Sequence, residues 1–180
     1  DQVRAKDANR PLRQLGQRTE YLLQAFQSAA LGEMLAARNV PIAQEAIPGT
    51  PVYYNEQTNQ WEPGLASLSV VEGQDYGFAP PEAEIRGLVL VKHTQTSGDI
   101  CLGGRITQTA YPIDWDTVVD EANFSAGTWF LSGSEAGKIS KSRNVLSVYA
   151  GLLDSGGNMV FMPQVNGSLR DHLHYWEDLS

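Results

Sequence analysis

The 180-residue chain reads as mainly β, a pseudo-duplicated sandwich- or barrel-like body behind a long N-terminal α-helix. Three observations predict this. Apolar residues at heptad spacing run through residues 12–29. After Pro48 the pattern changes to short runs rich in Val, Ile, Tyr and Trp, punctuated by Gly, Asn, Pro and Ser. Within that region one pattern occurs twice. It opens at Gly49-Thr50-Pro51-Val52-Tyr53-Tyr54 and again at Gly127-Thr128-Trp129-Phe130-Leu131, each followed by a polar turn, a short strand and a longer apolar strand with one glycine.

The helix comes first. Asn9 caps it and Pro11 sits in its first turn, where a missing N–H costs nothing. Leu12, Leu15, Thr19, Leu22, Phe26 and Ala29 follow an a/d seam; Leu31, Met34 and Leu35 shift the stripe, and Asn39 with Pro41 ends it. Roughly 27 helical residues span on the order of 40 Å. Two destinations for the seam stay open: the chain's own β body, or the axis of a symmetric oligomer. Arg13 and Arg18 belong to a locally basic arm that either meets an acidic partner or is a solvated helix face.

In the β region, Asn55 to Asn59 forms a polar hairpin tip between Val52-Tyr53-Tyr54 and Gln60-Trp61-Glu62. Ile85 to Val91 is nearly continuous in apolar character, as in a strand buried on both faces, and Gly87 marks a bulge or a close approach. Val145 to Leu153, with Gly151, plays the same part in the second copy. The resulting division is an arm and helix at 1–40, a first β module at 41–110, an acidic linker at 111–126, and a second β module with a C-terminal segment at 127–180. Residues 115–121 of the linker predict one or two helical turns.

Composition narrows the function classes. Hydrophobic content of 42% and charged content of 19% fit an ordered globular chain. Residues 41–180 hold seven Lys/Arg against seventeen Asp/Glu, so the β body repels nucleic-acid phosphates. No run approaches the apolar length of a membrane span. The single cysteine, Cys101, excludes an intrachain disulfide.

Reactive constellations are sparse. Asp114, Asp116, Asp120 and Glu121 read as a solvated loop with capping carboxylates, or as an acid pair for glycoside hydrolysis. His172 and His174 point to one side of a strand; on a threefold axis three chains supply six nitrogens, which suits an octahedral transition metal. The alternative is a pair of surface histidines, and no other cofactor pattern is present. Trp61, Trp115 and Trp176 are candidates for stacking against glycans; Trp61 and Trp129 fall in strand patterns that core packing explains equally well.

The segment Asn9-Arg10-Pro11-Leu12-Arg13-Gln14-Leu15, continuing to Arg18-Thr19-Glu20-Tyr21-Leu22, resembles the opening of tailed-bacteriophage virion proteins of the fibre, neck and capsid-decoration type. Gly127-Thr128-Trp129-Phe130-Leu131-Ser132 resembles a hairpin of such proteins, and Asp171-His172-Leu173-His174-Tyr175-Trp176 resembles their closing segment. Gly49-Thr50-Pro51-Val52-Tyr53 followed by Gln60-Trp61-Glu62 is similar to their β modules. The resemblance implies a non-enzymatic virion protein, most often a homotrimer, joined to other virion proteins as a fibre anchor, collar or capsid decoration. It implies assembly in the host bacterial cytoplasm and residence in the virion. The different-class alternative is a carbohydrate-binding, receptor-recognising module of a phage fibre.

Overall fold

The computed structural model describes residues 34–67, 69–70, 77–78, 80–143 and 146–164. Among these the chain is mainly β, with two short 3-10 turns as its helical content. The first element is a strand, β1 (Met34–Pro41), paired antiparallel with β7 (Ser97–Ile106) from Met34 opposite Gly104 to Pro41 opposite Ser97. The expectation that the N-terminal helix runs on to Asn39 is thereby corrected for residues 34–40. The cause is two-sided burial: Met34 and Ala36 pack on one core while Ala37 and Val40 pack on another. A Met-Leu-Ala-Ala run carries no period of its own, so pairing with β7 decides its state. The earlier part of the helix, with Leu12, Leu15, Leu22 and Phe26, lies outside the described residues.

Nine strands form one sheet. Pro51–Asn55 (β2) and Gln60–Pro63 (β3) make the expected hairpin around residues 56–59. Ser69–Val70 (β4) and Gly77–Phe78 (β5) pair as a separate small hairpin, followed by a 3-10 turn at Pro81–Ala83. Gly87–Thr94 (β6) precedes β7. The second half holds Gly127–Leu131 (β8), Ile139–Ser140 (β9), Tyr149–Leu153 (β10) and Met159–Gln164 (β11). The sheet order is β3-β2-β6-β7-β11-β10-β8-β9, with β1 on β7. Read inward from each end, as β3-β2-β6-β7 and β9-β8-β10-β11, the second, first, third and fourth strands of each half follow in the same order. The expected long strand from Val145 to Leu153 is corrected: its described strand is Tyr149–Leu153, no longer than β8, and Leu152 is 45% exposed instead of buried. The chain before it turns, with the Val148 amide donating to the Leu146 carbonyl at 2.9 Å, so the regular strand begins only at Tyr149.

Two parallel contacts curl these halves on themselves. Ile42 bridges Trp61, and the Ala43 amide donates to the Trp61 carbonyl at 2.8 Å. Val119 bridges Ile139, and the Asp120 amide donates to the Ile139 carbonyl at 2.8 Å. The chain leaving β1 therefore meets β3, and the chain leaving β7 meets β9. Inside the first ring sit Ile42, Ala46, Val52, Val89 and Ile100, with Trp61 and Leu102 packed on them. The larger core holds Trp129, Leu131, Ile139, Leu153, Met159 and Phe161 of the second ring together with Leu88, Leu90 and Cys101 from the outer face of the first. Leu88, Val89 and Leu90 are thus buried on alternate faces, as the apolar run predicts.

β7 belongs to both rings. Cys101 lies between Ala36 and Leu88, whereas Gly104 lies between Met34 and Phe161. β6 and β11 consequently share one edge of β7, end to end, and β1 covers the opposite edge.

The glycines of β6 and β10 are structurally matched: Gly87 lies opposite Val52 and Gly151 opposite Trp129. Gly151 sits at a register shift in both of its pairings. A Cβ there would come 2.3 Å from the Val160 carbonyl oxygen, so the backbone itself blocks a side chain. At Gly87 the nearest atoms are the tips of Ile100 and Val52, at 3.1 and 3.2 Å. The Gly-Thr openers are not matched. With Gly87 placed on Gly151, Thr50 falls on Gly127, a slip of one residue between the halves.

Gly151→Ala is expected to cost at least about 2 kcal/mol and Gly87→Ala about 1 kcal/mol or less, because the nearest obstacle at Gly151 is backbone, whereas those at Gly87 are side-chain tips that can yield. Urea unfolding of both variants checks this, and equal losses would contradict it.

Candidate functional site

The described polar residues gather into four hubs, each built where the sheet brings distant segments together. On the β2–β3 hairpin Glu62 accepts from Tyr53 Oη (2.9 Å) and Asn55 Nδ2 (2.9 Å) on one oxygen, and from Thr58 Oγ1 (2.7 Å) and Gln60 Nε2 (3.1 Å) on the other. Asn55, then Thr58, with Gln60 and Tyr53 hold its carboxyl at about 2 against some opposition from burial. Burial, with the Glu62 charge beside it, pushes the Tyr53 hydroxyl up to about 12. Glu62 also rims an open recess of about 220 Å³ with Glu45, Thr50, Pro63, Ala136 and Gly137. Its acceptor positions are already taken by the hairpin, so the recess gains little from it.

The second hub ties β1 to the β6–β7 hairpin. Asp99, buried, accepts from Arg38 Nη1 at 2.8 Å and from the Asn39 amide at 2.8 Å, and His93 Nε2 lies 2.8 Å from the same carboxylate. Arg38 also donates to Tyr111 Oη at 3.2 Å. Asn39 takes a positive φ of 49°, a conformation asparagine tolerates and this amide bond stabilises. Burial pushes the Asp99 carboxyl up, but the Asn39 amide, Arg38 and His93 outweigh it and hold it at about 2.

The acidic linker supplies the third hub. Asp120 accepts from Ser132 Oγ at 2.6 Å and Ser134 Oγ at 2.5 Å, which lower its carboxyl pKa. Glu121 accepts from Ser140 Oγ (3.0 Å) and the Lys141 amide (2.8 Å), and Asp116 from the Phe124 amide (2.7 Å). These carboxylates fasten the β8–β9 hairpin and the loop before it. A general acid for glycoside cleavage needs a raised pKa, and Asp120 is shifted the other way.

The fourth hub locks the linker to the β10–β11 turn. Gln108 donates to the Ile113 carbonyl and accepts from the Ile113 amide, both at 2.7 Å, while its own amide donates to Asn158 Oδ1 at 3.0 Å. Trp115 begins the expected helical turn, Trp115–Thr117, and its Nε1 donates to the Gly157 carbonyl at 2.7 Å. With Trp115 buried in the larger core, its assignment as a glycan-stacking platform is corrected. An indole N–H that finds a backbone carbonyl beneath a Gly-Gly turn is buried without penalty, so burial wins.

Of the other sequence candidates, Trp61 is half-buried and meets Tyr54 edge to face, with ring centroids 5.5 Å apart. Arg13, Arg18, His172, His174 and Trp176 lie outside the described residues, and so do Leu12, Leu15, Leu22 and Phe26. Cys101 is buried, and burial pushes its thiol up to about 12, which suppresses the reactive thiolate. The hubs at Asp99 and Glu62 were missed from sequence. The Glu62 hub follows from the hairpin register, because Tyr53 faces Glu62 once Asn55 is set opposite Gln60. No family model, curated protein or solved structure matches this chain.

Asp99 carries a pH prediction. Its carboxyl is depressed from 3.8 to about 2, so its stabilisation is present above 3.8 and is lost as pH falls through about 2. Asp99→Asn is expected to cost roughly 1–2 kcal/mol at neutral pH and to flatten that acid limb. Denaturant midpoints measured across the acid range test it, and an unchanged limb would refute it.

Proposed function

We propose that this chain is a non-enzymatic structural protein of a tailed-bacteriophage virion, a fibre-anchoring or collar module or a capsid decoration protein. It works as a homotrimer through its N-terminal helix and contacts other virion proteins through its β body, itself two copies of one module. It is assembled in the host cytoplasm and carried in the virion, with no nucleic-acid or membrane partner.

The observation that carries this reading is how the acids are used. Glu62, Asp99, Asp120 and Asp154 all have depressed carboxyl pKa values, and all bond turns and strands of the same chain. Such side chains give a rigid body that holds its shape when stacked in an assembly; they are poor proton donors. The motif resemblance supplies the virion. The acid excess of residues 41–180, set against the basic residues of the arm, favours contacts between the arm and neighbouring bodies.

Light scattering on the full chain, of monomer mass 19.7 kDa, is expected to give three times that mass, and Leu22→Asp is expected to lower it. If His172 and His174 hold a metal on the axis, a chelator also lowers it. A concentrated sample that stays monomeric with and without chelator overturns the trimer.

A further inference from the structure

We infer that the Tyr54–Trp61 face of the β2–β3 hairpin binds neutral carbohydrate. The inference rests on the carbohydrate-binding alternative and not on the virion role.

Tyr54 lies directly opposite Trp61, and their rings meet edge to face at 5.5 Å with 62° between planes. Tyr54 is 42% exposed, the one aromatic among the strongly exposed large apolar side chains of the described residues. Trp61 is the fixed half of the pair. Its ring packs on the core of Val52, Val89 and Ile100 and lies beside Gly87. The support is pre-organised, since Glu62 holds four hairpin side chains from the opposite face and Asn55 Oδ1 accepts from the Gln57 amide at 2.9 Å. A rigid platform loses little conformational entropy when a ligand arrives.

The surrounding chemistry selects the ligand. A pyranose ring has an apolar C–H face that rests on an aromatic ring, and a rim of hydroxyls that need amide and hydroxyl partners. Between Tyr54 and Trp61 the chain reads Asn55-Glu56-Gln57-Thr58-Asn59-Gln60, so Glu56 is the one charged side chain. Gln57, Thr58 and Asn59 are exposed, and Asn59 Oδ1 lies 3.5 Å from Tyr54 Oη. Glu56 and the acidic body disfavour sialylated or sulfated glycans. Size separates a sugar from a protein partner: a specific protein interface needs about 800 Å² on each side, far more than one exposed tyrosine ring and its flanking loop offer, whereas that ring matches the apolar face of one sugar residue. The other strongly exposed apolar side chains, Ile47 and Leu152, lie outside this hairpin.

The test is saturation-transfer NMR on the full chain with maltotriose, cellotriose, mannotriose and a galactose-terminated trisaccharide, with sialyllactose as the anionic comparison. At least one neutral sugar is expected to receive saturation at its ring C–H protons, with a Kd on the order of 1 mM, and sialyllactose is expected to bind more weakly. Tyr54→Ala is expected to weaken binding about tenfold or more, and Tyr54→Phe, which keeps the ring, to preserve it. Tyr54 is exposed, so its variants leave the fold intact; the Trp61 anchor is left unaltered. Absence of transfer to every neutral sugar overturns the inference, as does equal binding by Tyr54→Ala. A peptide that binds in a Tyr54-dependent manner while the sugars do not assigns the face to protein recognition and also overturns it. Tyr54→Ala is expected to leave the assembly's mass unchanged, so failure here is distinguishable from failure of the trimer.

Discussion

The structure depends on β7 being paired on both edges over much of its length. Its ten residues hold β1 on one side and β6 then β11 on the other. Removing either half would leave a row of buried amides and carbonyls without partners, at a cost of about 1–3 kcal/mol for each buried group. Neither half is therefore an independent body. The larger core says the same in apolar terms, since Leu88 and Cys101 of the first half share it with Trp129 and Phe161 of the second.

Around that strand the polar residues act as fasteners. Asp99 holds β1 where Arg38 and Asn39 leave the regular ladder, at a register shift between Ala37 and Val40. Gln108 imitates a strand partner for Ile113 by bonding both its amide and its carbonyl. Such bonds add modest net stability each, but they decide which of several similar loop paths is taken. A body of short strands and long connections needs that selection more than it needs further apolar area.

Much of the fold was legible in the sequence because it rested on local signals. The hairpin tip at 56–59, the two-sided burial of Leu88, Val89 and Leu90, the close approach at Gly151 and the helical turn at Trp115 all follow from turn chemistry and periodicity within a few residues. What was not legible depended on partners far along the chain. Met34–Pro41 is a strand because of residues more than fifty positions later, and Arg38 finds Asp99 across 61 positions. Trp115 was misread for the same reason: its Nε1 partner, Gly157, is 42 residues away. At the candidate site, Trp61 was visible as an aromatic in a strand. Tyr54, its exposed companion, emerges only when the register is known.

The one-residue slip between the Gly-Thr openers has a consequence for which segments are interchangeable. Because side chains alternate across a strand, a slip of one exchanges inner and outer faces. Val52, three positions after its opening glycine, points into the first ring, whereas in the second half Trp129, two positions after Gly127, does so. Exchanging the two Gly-Thr openers without adjusting the spacing would therefore turn the strand behind each of them inside out, setting its outward side chains against the core.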